Sequence, residues 1–381
     1  MNTAISELTT GIAQASQAFA FDLYALLRDE PGNLLFSPFS ISTALAMTLA
    51  GAHGMTEREM ADTLHLSMER TQFHSAFGAL LDHLAAIQEQ GDVHLNTANS
   101  LWPDCGLPMR QTYLDLVESC YGVRVTPVNY GDPATARNTI NSWVEEKTLE
   151  KIKDLLGPAD IDGSTLLALV NAIYFKGNWS APFSGDATSE APFHLNAFDS
   201  ADVPMMTQTN LFGYAQYENL QLLELPYAGG DLSMIVLLPN EVDGLAGLEA
   251  ELTTEKLARW TDLQQQQQIE VMLPKFRVET RFDLGGVLVA LGMGSAFSSS
   301  ADFSRMLGDV QAGISKVIHQ AFVDVNEEGT EAAAATAVVL VRSKPRPPFA
   351  TFRADHPFLF LVRDKRSGCD LFMGRVNSPL A

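Results

Sequence analysis

Residues 166–175 read Leu-Leu-Ala-Leu-Val-Asn-Ala-Ile-Tyr-Phe, a nearly continuous apolar run broken by one polar residue, Asn171. A strand with one wet face alternates apolar and polar side chains, whereas a strand buried on both faces does not. The run therefore predicts a strand covered above and below, and the rest of the chain must supply both covers. With 381 residues, 46% of them hydrophobic, there is enough apolar material to do so.

The first third is helical in pattern. Ile12, Phe19, Leu23, Leu26 and Leu27 recur at helical spacing until Pro31-Gly32 ends them. Ser37-Pro38 predicts a second helix start, with the serine as cap, the proline in the first turn, and Ile41, Leu45 and Leu49 following. Thr56 and Glu59 have capping-box spacing ahead of Met60 and Leu64, and Phe73, Phe77, Leu80, Leu81 and Leu84 form a further stripe. All of these stripes read as core.

Residues 93–102 change to a strand pattern, and between Leu222 and Leu238 two apolar runs flank Ala228-Gly229-Gly230-Asp231, a hairpin signal. Residues 269–278 predict another strand, followed by a helix through Phe282, Leu288 and Leu291. The glutamine tract 264–268 is expected to be a solvated helix end or loop. No internal repeat or long linker divides the chain. Helices mixed with predominantly antiparallel strands, in no regular alternation, predict one α+β domain over residues 1–381.

Several function classes are disfavoured. The formal charge of -21, from 46 acidic against 25 basic residues, argues against broad binding to nucleic acid or anionic membrane. No apolar run approaches the roughly 20 residues that span a bilayer. No basic residue precedes Arg28 and no signal peptide is visible, so a cytoplasmic or mature exported form is expected. Gly-x-Ser-x-Gly, His-Glu-x-x-His and Walker patterns are absent, and the glycines from Gly285 to Gly294 lack the dinucleotide order. The eight histidines include no pair at three- or four-residue spacing, so neither a metal nor a cofactor is predicted. Cys105, Cys120 and Cys369 are odd in number, without Cys-x-x-Cys spacing, and read as simple thiols.

The segment 327–337, Glu-Glu-Gly-Thr-Glu-Ala-Ala-Ala-Ala-Thr-Ala, follows a strand pattern of Val317, Ala321, Val323 and Val325. By propensity its alanines favour a short surface helix capped by Thr330. If it is extended instead, Thr330, Ala332, Ala334 and Thr336 share one face, and none is bulky, charged or proline. Such a face can enter a sheet core. Beyond it lie the strand-favouring residues 338–341 and then Arg342-Ser343-Lys344-Pro345-Arg346-Pro347-Pro348, polar and turn-rich.

At this point the chain resembles the serpin family, and the resemblance covers nearly all of it. Asn33-Leu34-Leu35-Phe36-Ser37-Pro38-Phe39-Ser40-Ile41 is similar to the first family signature, and Asn171-Ala172-Ile173-Tyr174-Phe175-Lys176-Gly177-Asn178-Trp179 to the second. Leu225-Pro226-Tyr227, Leu273-Pro274-Lys275-Phe276, the 327–337 hinge, and Ala354-Asp355-His356-Pro357-Phe358 with Phe372-Met373-Gly374-Arg375 follow in family order. The resemblance implies a serpin fold of three β-sheets and about nine helices, with a metastable native state and an exposed reactive-centre loop at about 327–352. It implies a monomeric suicide inhibitor of serine proteases, not an enzyme, whose cleaved loop inserts into the main sheet with the protease covalently attached. Non-inhibitory relatives often carry proline, charge or bulk on the inserting face; this chain has none there.

Carried over by motif, the hinge comprises Glu327, Gly329, Thr330, Ala332, Ala334 and Thr336. Ser37, Ser40, Asn171 and His319 match the polar cluster called the shutter. Trp179 matches the breach, where insertion begins, and Lys275 with Glu327 matches an ion pair at the top of the sheet. The common family spacing places Ser343 before the scissile bond, while a loop one residue shorter would place Arg342 there. A guanidinium suits the aspartate-floored pocket of trypsin-like enzymes, so the reactive bond is expected at Arg342-Ser343. Use of Ser343, Val341 or Leu340 would instead indicate an elastase-like or chymotrypsin-like target. Lys344 is disfavoured by the proline that follows. Heparin-type activation is not expected, because in residues 135–153 Arg137, Lys147, Lys151 and Lys153 are nearly balanced by Glu145, Glu146, Glu150 and the adjoining Asp154.

Overall fold

The computed structural model describes residues 2–89, 93–330 and 350–380. α1 (Asn2–Leu27), β1 (Leu34–Phe36), α2 (Pro38–Leu49), α3 (Gly54–Thr63) and α4 (Arg70–Gln88) make up the first quarter. Ser37 caps α2 as its sequence predicts, its Oγ accepting from the Ser40 N–H at 3.1 Å. The stripe on α1 is buried except for Leu26, which is 43% exposed. The capping box at Thr56 does not form: α3 starts earlier, at Gly54. Thr56 Oγ1 instead accepts from the Asp302 N–H (3.0 Å) and the Glu59 carboxylate from the Ser295 N–H (2.8 Å), so tertiary donors displace the local ones.

There follow β2 (Val93–Pro103), α5 (Gln111–Tyr121), α6 (Pro133–Lys147), β3 (Leu167–Asn178), β4 (Ser189–His194), β5 (Ser200–Gln216), β6 (Leu220–Pro226) and β7 (Leu232–Pro239). Next come α7 (Leu245–Glu251), α8 (Thr254–Asp262), β8 (Gln265–Pro274), β9 (Phe276–Asp283), α9 (Gly285–Ala290) and α10 (Ser304–Leu307). The chain then runs through β10 (Lys316–Val325), β11 (Gly329–Thr330), β12 (Ala350–Arg353), β13 (Phe358–Asp364) and β14 (Asp370–Val376). Three expectations fail here. The strand expected over 269–278 is two, since β8 ends at Pro274 and β9 begins at Phe276 in the other sheet. Four of the five glutamines lie in β8, paired with residues 211–214 of β5, because a long partner strand satisfies their backbone whatever their side chains prefer. Phe282 lies within β9 rather than opening a helix, since β9 continues along β10 to the Asp283–Ile318 pair.

One sheet has five strands in the order β2-β3-β11-β10-β9. The other nine strands are joined through β5, which is long enough to serve two groups. Residues 200–205 pair with β4 and 205–214 with β8, while 213–216 pair with β6. On one side lie β4, β8 and β12, and on the other β6, β7, β13, β14 and β1, so three sheets result.

β3 is the doubly buried strand. Leu169, Ile173 and Phe175 enter the main core, while Val170, Ala172 and Tyr174 enter a second core beneath α6. α2 and the β13–β14 layer cover the first face, and α6 the second.

Candidate functional site

β3 and β10 pair in parallel from Ala168–Lys316 to Tyr174–Phe322, whereas every other pairing in the five-stranded sheet is antiparallel. Above Phe322 the two strands part, and β11 lies between them. Gly329 pairs with Asn178, and Thr330 pairs with Gly177 on one side and Val325 on the other, antiparallel to both neighbours. Only glycine fits at 329: a Cβ there would lie 2.1 Å from the Gly177 carbonyl oxygen and 2.6 Å from Asn178 Cα.

Thr330 is fully buried, and its hydroxyl shares a 2.9 Å hydrogen bond with that of Tyr227. The Tyr227 ring stacks on Trp179 at 4.7 Å between centroids, and burial pushes its phenol pKa up. Trp179 Nε1 donates to the Asn326 carbonyl (3.0 Å), and its backbone N–H to that of Glu328 (2.8 Å). The Glu327 carboxylate meets Lys275 Nζ at 2.9 Å and accepts from Thr188 Oγ1 at 2.9 Å. Burial opposes ionisation of Glu327, but these partners outweigh it and hold the carboxyl below its usual range.

Lower in the seam, a polar row crosses three strands where apolar residues surround it. Asn99 of β2 stands opposite Asn171 of β3, and Asn171 opposite His319 of β10. His319 Nε2 accepts from the Ser37 N–H at 3.1 Å, which places the ring proton on Nδ1, donated to Asn171 Oδ1. Asn171 Nδ2 donates to Ser40 Oγ (2.7 Å) and to Asn99 Oδ1, and Ser40 Oγ donates to Asn99 Oδ1 (2.8 Å). Burial pushes the His319 pKa down to about 3, against the opposing effect of its Asn171 bond. The imidazole is neutral at physiological pH.

A family model described as Serpin (serine protease inhibitor) matches residues 14–379. The chain belongs to the serpin family. It is 40% identical over 387 residues to Serpin B3 of Homo sapiens, covering 97% of this chain and 99% of that protein. It is 42% identical over 380 residues to the leukocyte elastase inhibitor of Sus scrofa, with the same coverage of each. Among solved structures, uncleaved ovalbumin superposes with a TM-score of 0.87 at 33% identity, covering 97% of this chain and all of the other. The α+β serpin fold with its three sheets is thereby established, with ten α-helices among the described residues.

In this serpin the four residues Ser37, Ser40, Asn171 and His319 form one hydrogen-bonded cluster. Trp179 and Lys275 do not join each other; each grips a different part of residues 326–328. Glu327, Gly329 and Thr330 occupy the mouth of the seam, and Thr330 is in a strand, not a helix cap. Ala332, Ala334, Thr336, Arg342 and Ser343 lie outside the described residues. Sequence reasoning missed Asn99 and the role of Tyr227. Asn99 had a signal: Val93, Leu95 and Leu101 share its face and are core, so a polar residue at that register position is conspicuous. Among the described residues all three cysteines are free, and no cluster of His, Cys, Asp and Glu is placed to hold a metal.

Proposed function

We propose that this serpin traps serine proteases by offering its loop as a substrate and inserting the cleaved strand into the β3–β10 seam. The protease serine Oγ attacks the carbonyl of the residue before the scissile bond. The C–N bond breaks, the new amine leaves with a proton, and the acyl-enzyme stays on the loop. The observation that carries the reading is β11, a strand already started between two parallel neighbours and antiparallel to both.

In the proposed inserted state, continuing the register of Thr330 one residue at a time would set Ala332 opposite Phe175 and Val323, Ala334 opposite Ile173 and Ala321, and Thr336 opposite Asn171 and His319. All four core-facing side chains, counted from Thr330, are small enough to enter. Insertion would replace one parallel ladder by two antiparallel ones, the more stable arrangement per residue. The Thr336 hydroxyl both donates and accepts, so it can re-pair Asn171 and His319 as they separate. In this reading Trp179 and Lys275 hold the entry, and Ser37, Ser40, Asn99, Asn171 and His319 keep the parting strands hydrogen-bonded. A loop of about 15 residues spans roughly 50 Å at about 3.3 Å each, enough to carry the protease the length of the sheet.

The bond we assign is Arg342-Ser343, for a trypsin-like target. A second reading is favoured by the relatives named leukocyte elastase inhibitor: cleavage after Ser343, Val341 or Leu340 by an elastase-like enzyme. Incubation with a panel of trypsin-like and elastase-like proteases should give an SDS-stable adduct, and mass spectrometry should find the released fragment beginning at Ser343. A fragment beginning elsewhere moves the assignment to the second reading. Cleavage by every enzyme with no adduct overturns inhibition itself.

A further inference from the structure

The outer face of the seam is roofed by α6 and by residues 148–166, which lead from it to β3. This connection leaves the helix through Leu149 (φ 52°), Glu150 (φ 60°) and, further on, Asp154 (φ 50°), left-handed backbone that non-glycine residues adopt only when held. One hold is the buried Asn141 of α6, whose side chain accepts from the Leu156 N–H (2.8 Å) and donates to the Leu156 carbonyl (3.0 Å). Ile152, Leu155 and Leu156 then pack in the second core with Tyr174 of β3 and Phe322 of β10.

The roof is fastened on both sides of the seam. On the β2–β3 side, Trp143 of α6 packs edge-on against Trp102 of β2, with centroids 5.5 Å apart. On the opposite side Arg281 of β9, which stands beside Gln320 of β10, donates from Nε to the Leu155 carbonyl at 2.7 Å and pairs its guanidinium with the Asp160 carboxylate.

We propose that Arg281, with Asp160 and Leu155, is a clasp across the seam that sets the rate at which a strand inserts; it positions the roof and takes no part in the chemistry. The inference rests on the insertion reading above. Adding one strand moves β10 and β9 about 4.8 Å from β3. A roof tied to β2 cannot follow that displacement and keep a 2.7 Å bond to β9. The clasp is therefore given up on the way to the inserted state, and it raises the barrier by what it is worth. Arg281 is about a third exposed, so its ion pair contributes modestly, and its charged hydrogen bond to a carbonyl adds to that. Removing both is expected to speed insertion about three- to tenfold.

The test uses full-length wild type, Arg281→Ala, Arg281→Lys and Asp160→Asn, with a synthetic peptide of the sequence 327–341 as the inserting strand. The rate of forming the peptide complex is followed by native gel. Arg281→Ala should be fastest and Arg281→Lys intermediate; Asp160→Asn, which keeps the Leu155 bond, should rise least. Arg281→Ala should also lower the thermal midpoint of the native form and leave that of the loop-cleaved form unchanged. Equal peptide rates in wild type and Arg281→Ala would overturn the clasp, as would equal midpoint losses in both forms, which mark a brace that survives insertion. If wild type accepts neither the peptide nor its own cleaved loop, it is the insertion reading that fails.

Discussion

Acid should weaken this serpin from within its seam, well before its carboxylates protonate. His319 is fully buried, and its Nε2 accepts from the Ser37 N–H at the positive N-terminus of α2. Burial strips solvation from the charged imidazolium, which is why the folded pKa falls from 6.5 to about 3, and a proton on Nε2 would also displace the Ser37 bond. His74, between α4 and α5, is held down to about 3 as well, by burial and then by Arg70; its Nδ1 meets the Tyr121 hydroxyl at 2.6 Å and its Nε2 has no partner. Both pKa values are lowered for a base, so the unfolded chain binds the proton first. Stability is thus full above about 6.5 and is lost as pH drops from there toward 3. Between pH 7 and pH 5 each histidine costs about 2 kcal/mol, and the two together about 4. Glutamates with lowered pKa, such as Glu59 and Glu327, start from 4.5 and act mostly below this window. Urea unfolding at pH 7, 6 and 5 should show the fall in wild type and about half of it in His319→Gln. The slope with pH is read, not the absolute stability, so a general loss in the variant does not confuse the result. An unchanged slope in His319→Gln would refute the reasoning.

Two further outcomes follow from the same seam. Gly329→Ala sets a Cβ against the Gly177 and Asn178 backbone, which cannot swing away, and should destabilise the native form by about 1–3 kcal/mol; on SDS gels with a protease that wild type traps, the adduct should give way to cleaved serpin. Asn99→Ala removes the acceptor shared by Ser40 and Asn171, leaving two buried donors short, and should cost about 1–3 kcal/mol in urea unfolding.

Local signals carried far in this chain wherever the partner group is close in sequence. Ser37-Pro38 starts α2 because cap and first turn are adjacent, and Gly229 and Gly230 make the β6–β7 turn with positive φ of 82° and 77° because glycine tolerates it. Reasoning from neighbours failed where a distant group won. Thr56 and Glu59 bonded to Asp302 and Ser295 rather than to their own helix, and the glutamines of β8 took the strand offered by β5.

The doubly buried run around Asn171 was plain from the sequence, because loss of alternation reports two covered faces directly. The small residues at 330, 332, 334 and 336 are equally plain as a sequence pattern. That β3 would meet β10 in parallel, that Asn99 would complete the row with Asn171 and His319, and that Arg281 would reach across to Leu155 and Asp160 depended on strands far apart in the chain. Side-chain character states which surfaces must be buried; which strand lies beside which, and so where a sheet has a seam, is decided only when the whole chain packs.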